Sequence, residues 1–279
     1  MRRALTLPAG FPCDVEVFAC DLDRTLIAGD GMLPPRTEAA IRAAQAADIR
    51  VVIASGRMFV SVRPYVLQAG IDDPVVCYQG AVVAEPRTGR WLRHEPIPMA
   101  LGREAIEAIV AEGFHVNVYV DDELFVGRIT PEARAYADFQ GLVIHEVGDL
   151  AAWLEKPPTK IVSVGEPELL DGLEARLKEH FAGRLYISKS LPFFLEIASP
   201  KVTKASGLQF VADHIGFSPE NVVAFGDGEN DIELLEWAGF GIAVANAHER
   251  VLAVADYVCP PVTEEGVAQV IEAVLESRR

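Results

Sequence analysis

Cysteine is scarce and none of it is paired by spacing: Cys13, Cys20, Cys77 and Cys259 are the only four in 279 residues. That excludes a disulfide framework and points to a reducing compartment. No apolar run reaches the roughly 18 residues that a membrane-spanning helix needs. The segment after Arg2 and Arg3 is broken by Pro8, Gly10 and Pro12, so it offers no secretory apolar core. The expected location is the cytoplasm. Positive charge is in deficit, with 25 Lys and Arg against 41 Asp and Glu and a net charge of −16. Such a chain repels nucleic-acid backbones and anionic lipid surfaces, so neither nucleic acid nor membrane is expected as a partner. A small phosphorylated ligand is compatible with that field only where basic side chains and backbone N–H groups cluster locally. Internal repeats and low-complexity tracts are absent, and oligomeric state is not legible.

What is present is a chain about half apolar, able to bury a large core in one large domain or two ordinary ones. Its organising stretch runs from Val17 through Asp21, Leu22, Asp23, Arg24 and Thr25 to Leu26. An apolar run ending in two carboxylates one residue apart reads as a buried parallel strand whose end faces a ligand, where open α/β sheets place their chemistry. The two carboxylates repel each other unless a divalent cation or a shared proton lies between them. A calcium loop fails on spacing, because Leu26 and Met32 stand where a glycine and a bidentate glutamate are needed. Few carboxylates, completed by water or phosphate, is magnesium-like behaviour. Cys20 adjoins Asp21, but strand neighbours face opposite sides, so the thiol reads as core.

Two further strand ends carry polar groups. The run from Ile49 to Ala54 stops at Ser55, Gly56 and Arg57, a donor-rich turn in which the serine also fits a helix N-cap. The run from Val222 to Phe225 stops at Gly226, Asp227, Gly228, Glu229, Asn230 and Asp231. Between them, from about Trp91 to Ser190, apolar and polar residues alternate, which predicts antiparallel sheet with one face buried and one polar. Helical patterns over Leu101 to Ala111, Pro131 to Gln140 and Glu166 to Phe181 make this an inserted α+β domain. The expected division is a core of 1–84 and 191–279 with an insert of 85–190, the core resuming near Phe193 to Ile197. Asn117, Tyr119 and Arg128 on the polar strand phase, with Ser188 and Lys189, are candidates to line a cleft; a solvated sheet face is the ordinary reading for each. Lys201 and Lys204 open a helical pattern carrying Leu208 and Val211. Gly241 to Val244 forms another strand before Asn246, and the tail from Glu264 to Leu275 is an amphipathic helix.

Together the strand ends supply a nucleophile, a second carboxylate for proton work, a hydroxyl, fixed positive charge and a metal-holding pair, the inventory of phosphoryl transfer through an aspartyl-phosphate. In order and separation, Asp21-Leu22-Asp23-Arg24-Thr25, Ser55-Gly56-Arg57, Lys204 and Gly226 to Asp231 resemble the four motifs of the haloacid dehalogenase superfamily of phosphatases. The insertion point and the stretch from Gly241 to Asn246 resemble its Cof-type branch. The resemblance implies an α/β fold with a doubly wound, Rossmann-like parallel-sheet core and an inserted α+β cap that selects substrate. It implies a Mg²⁺-dependent hydrolase of small phosphate monoesters, sugar phosphates foremost. Asp21 would be the nucleophile, Asp23 the general acid and base, and Thr25 its orienter. Ser55, Gly56, Arg57, Lys204 and Asn246 would hold the phosphate, Lys204 also steadying Asp21, and Asp21, Asp23, Asp227, Asn230 and Asp231 would hold or order the metal. A phosphosugar mutase and a silent phospholigand sensor are the alternatives. Arg24 and Gln79 depart from the pattern, which carries glycine and asparagine there.

Overall fold

The structure, a computed structural model, describes residues 5–29 and 31–278; Arg2 and Arg3 lie outside the described residues. In chain order the strands are β1 (Val17–Cys20), β2 (Arg50–Ile53), β3 (Val75–Cys77), β4 (Val82–Ala84), β5 (Trp91–His94), β6 (His115–Val120), β7 (Glu123–Val126), β8 (Ile144–Glu146), β9 (Lys160–Val164), β10 (Tyr186–Leu191), β11 (Phe194–Ala198), β12 (Val222–Gly226), β13 (Phe240–Val244) and β14 (Tyr257–Cys259). The chain divides into two compact units, one of Met1–Gly56, Val62–Leu92 and Thr203–Arg279, the other of Arg57–Ser61 and Arg93–Val202.

The first unit is an α/β fold around a parallel sheet in the order β14-β13-β12-β1-β2. Every residue of β1, β12 and β13 is buried, as strands covered by helices on both faces must be. One face packs Val17, Ala19, Val52, Val222 and Ala224 against Leu208 and Val211; full burial of each valine or leucine side chain contributes about 1.5–3 kcal/mol. The opposite face sets Phe18 beside Phe225, ring centroids 6.0 Å apart and planes tilted by 49°. Register decides where the chemistry lands. Cys20 is level with Ile53 on one side and with Phe225 on the other, so Asp21, Ser55 and Asp227 leave the sheet at one edge. A parallel bridge from Ala54 to Val76 carries the edge on to β3, whose end turns through Tyr78–Gly80. Gly80 has φ 105°, and a Cβ on it would stand 2.1 Å from the carbonyl oxygen of Thr203. Only glycine lets the helix Lys204–Ile215 begin directly against this turn.

The second unit carries a six-stranded sheet in the order β10-β11-β9-β6-β7-β8, antiparallel except for the β7–β8 pair. One face packs Val116, Val118, Val120, Ile161, Leu195 and Ile197 in a core with Ile106 and Ile109 from the helix Met99–Ala111 and Leu170, Leu173 and Leu177 from the helix Pro167–Phe181. The stretch from Phe193 to Ile197, expected to resume the core, instead supplies β11 of this sheet, with Leu195 opposite Ser163. The boundary therefore falls near Val202, because ladder pairing and not chain position decides which sheet owns a strand. The expectation of a solvated polar face also needs correcting. Asn117, Tyr119, Lys160 and Glu196 are buried. The Tyr119 and Tyr136 hydroxyls are hydrogen-bonded, Tyr136 packs on Phe194 with centroids 4.8 Å apart, and Lys160 Nζ lies 3.3 Å from Glu196 Oε1. Polar residues on alternate positions can equally face water or one another, and alternation alone does not say which. Of the other cleft candidates, Arg128 is exposed and Lys189 pairs with Asp171.

Candidate active site

Asp21 follows β1 directly and is 4% exposed; its amide donates to Phe225 O at 3.0 Å, which keeps the chain in register one residue past the strand. Lys204, only 1% exposed, starts its helix behind a capping box in which Ser206 N donates to Thr203 Oγ1 at 3.1 Å and Thr203 N to Ser206 Oγ at 3.0 Å. From that fixed origin its ammonium donates to Asp21 Oδ1 at 2.5 Å and to Asp231 Oδ1 at 2.6 Å. Lys201, which opens the same helical pattern in the sequence, is exposed.

The turn after β12 is built around Asp231, whose Oδ2 accepts the amides of Asp227 and Gly228, both at 3.0 Å. A Cβ at Gly226 would lie 2.5 Å from the Asp231 Cβ, so the carboxylate can fold over the strand end only above a glycine. Asp227, thus oriented, accepts Thr25 Oγ1 on Oδ1 at 3.3 Å and faces Arg24 Nε with Oδ2 at 3.3 Å. Asp23 is half-buried, in an isolated bridge with Ile27.

Asp21, Asp227 and Asp231 each offer an oxygen within 4.8 Å of the other two. Burial and the charges of Asp231, Asp227 and Asp23 hold the Asp21 carboxyl well above the usual carboxylate range, with Lys204 pulling the other way. Asp227 is pushed up to about 7 by burial and then by Asp231, against the pull of Arg24, Lys204 and the Thr25 hydroxyl. Burial alone would lower the Lys204 ammonium, but Asp21 and Asp231 outweigh it and drive it up, so it stays charged. Three buried carboxylates therefore share one buried ammonium. A cluster of hard oxygen donors with uncompensated negative charge fits a divalent cation.

The other expected residues fall in different places. Ser55 is buried, its amide on Val76 O at 2.9 Å and its carbonyl accepting Gln79 N at 3.1 Å. It is not the cap of the next helix, which spans Phe59–Ala69 and whose first two amides donate to Asp122 at 3.0 and 2.8 Å. Gly56 lies against the Gln79 amide, where a Cβ would meet Nε2 at 2.5 Å. Arg57 belongs to the second unit. Asn230 donates to Gln79 Oε1 at 2.9 Å, so Gln79, noticed in the sequence only as a departure, joins the Ser55 turn to the Asp227 turn. Asn246, expected at the phosphate, uses both ends of its amide as a strut: Nδ2 donates to Arg24 O at 2.9 Å and Oδ1 accepts Val262 N at 2.8 Å. Cys20 is buried, its thiol raised far above the ordinary range by burial and then by Asp21, which leaves it inert.

A family description, haloacid dehalogenase-like hydrolase, matches the chain over residues 18–271. The chain belongs to this family. This haloacid dehalogenase-like hydrolase stands with the family's Cof-type phosphatases. It is 30% identical to a pyridoxal phosphate phosphatase of Escherichia coli K12, over 92% of this chain and 97% of that one. Identity is 28% to a 5-amino-6-(5-phospho-D-ribitylamino)uracil phosphatase of Bacillus subtilis 168, over 92% and 96% of the two chains. A crystal structure from Thermotoga maritima is similar at a TM-score of 0.82 and 31% identity, over 92% and 97%. Among the described residues no helix is long and apolar enough to cross a membrane.

Proposed function

We propose that this phosphatase hydrolyses small phosphate monoesters, sugar phosphates foremost, through an aspartyl-phosphate on Asp21. The observation that carries the reading is the buried Lys204 ammonium held between Asp21 and Asp231 beside Asp227: fixed positive charge at a nucleophilic carboxylate, within a group of three buried carboxylates. Lys204 pins one oxygen of Asp21 and so orients the carboxylate. An Asp21 oxygen bonds to phosphorus as the bond from phosphorus to the leaving oxygen breaks, and Asp23 gives that oxygen its proton. Water then attacks the phosphorus of the acyl-phosphate; Asp23 takes its proton, and inorganic phosphate and the Asp21 carboxylate are released. Ser55, Gly56 and Lys204 hold the phosphoryl oxygens, and Thr25 and Asn230 keep the loops in place. Mg²⁺ held by Asp21, Asp227 and Asp231, with Asp23 contributing, would screen negative charge on the phosphoryl group. The second unit is assigned the choice of leaving group. The names of the two curated relatives, phosphatases of pyridoxal phosphate and of a phosphoribityl compound, support substrates of this size.

The test is turnover of an aryl phosphate and a panel of sugar phosphates, with Mg²⁺ and after chelation. Wild-type protein is expected to release phosphate only with the metal, and Asp21→Asn to release none while keeping its far-UV circular dichroism. An active Asp21→Asn protein would refute the nucleophile assignment. Phosphate returned to a second position of the sugar, with little reaching water, would favour a mutase.

A further inference from the structure

Arg24 sits at φ 61°, a conformation that a side chain with a Cβ adopts at a cost, so something must offset it. Its backbone is tied on both sides, N donating to Ile27 O at 2.8 Å and O accepting Asn246 Nδ2 at 2.9 Å. This aims the guanidinium inward: Nη2 donates to Asn246 O at 3.2 Å and Nε lies 3.3 Å from Asp227 Oδ2. Thr25, the next residue, donates to Oδ1 of the same carboxylate at 3.3 Å. One short loop thus grips both oxygens of Asp227, one with a neutral hydroxyl and one with a permanent charge. The Arg24 side chain is 57% exposed and that of Asp227 6%, so the arginine reaches from solvent to a buried carboxylate. Lys204 supplies the buried positive charge, and Arg24 supplies a second from the rim.

We propose that Arg24 is a positioning residue that sets the strength of divalent-cation binding at Asp227. This rests on the carboxylate cluster being a metal site, as inferred above. Arg24 orients Asp227 and neutralises part of its charge, so the cluster binds a divalent cation less tightly than its carboxylates alone would. In return, a loaded site keeps extra positive charge for a phosphate dianion. Charge and loop strain can be separated by substitution. Arg24→Gly removes both; Arg24→Gln removes the charge and keeps the strain; Arg24→Lys keeps the charge without the planar fork.

The experiment is calorimetric titration of the chelated proteins with Mg²⁺ and with Mn²⁺, without substrate, followed by titration of the loaded proteins with inorganic phosphate. Thermal unfolding checks that each variant is folded; Arg24→Gly is expected to fold because glycine accepts this φ without strain. For one charge beside a doubly charged ion at a partly exposed site, a change of roughly tenfold is expected. Arg24→Gly and Arg24→Gln should bind metal about that much more tightly and phosphate more weakly, with Arg24→Lys close to wild type. Equal metal affinity in wild type, Arg24→Gly and Arg24→Gln would overturn the role of Arg24 and leave the metal site standing. Weaker metal binding in both variants would overturn it as well. No binding in any of the proteins would overturn the metal site and this inference together.

Discussion

The raised Asp227 carboxyl makes the stability of the metal-free protein depend on pH in an unusual direction. An ordinary carboxylate paired in the folded state loses stability as pH falls; here the folded group holds its proton up to about 7 against a reference of 3.8, so the native state binds more protons than the unfolded chain. Stability from this group is fully present below the reference value and is lost as pH rises through the window from 3.8 to about 7. At 1.36 kcal/mol per unit, the loss between pH 5 and pH 8 is roughly 2.5 kcal/mol. The assay is urea unfolding of chelated protein at both pH values, with Asp227→Asn as the reference. The substitution keeps an acceptor for Thr25 Oγ1 and removes the titration. Wild type should lose more stability than Asp227→Asn between pH 5 and pH 8, and saturating Mg²⁺ should abolish the difference by favouring the ionised cluster. A metal-free wild type that gains stability relative to Asp227→Asn over this range would refute the reasoning.

Removing the buried ammonium is expected to be costlier than removing any surface charge. Lys204→Met keeps much of the volume but leaves Asp21 and Asp231 facing each other, and metal-free protein should lose about 3–5 kcal/mol in urea unfolding; part of this should return with a divalent cation, which replaces the missing charge. The thiols should differ sharply toward an aromatic disulfide reagent. Cys13 is exposed while Cys20, Cys77 and Cys259 are buried, and burial pushes the Cys259 thiol up to about 12, so native protein should react at Cys13 alone and unfolded protein at all four.

The acidic and donor-bearing strand ends were legible because of what they interrupt. A run such as Val17 to Cys20 reads as a covered strand, and carboxylates placed just past it must meet either a ligand or a counter-charge. Lys204 was separable from Lys201 in the sequence only through the motif; in the structure, burial behind the Thr203–Ser206 cap separates them physically. Gln79 carried little signal beyond its departure from the motif, because its role is a hydrogen bond to Asn230, 151 positions away. Alternation in β6 was read correctly as sheet and wrongly as half-solvated, since pairing among Tyr119, Tyr136, Lys160 and Glu196 is a property of neighbouring strands and a helix, not of β6 itself. The sequence by itself determined which residues could carry charge at the ends of covered strands, because burial and polarity are written residue by residue. Only the tertiary structure decided that Arg24 grips Asp227, that Asn246 is a strut, and that β11 belongs to the second sheet, because each depends on register and on contacts between segments distant in the chain.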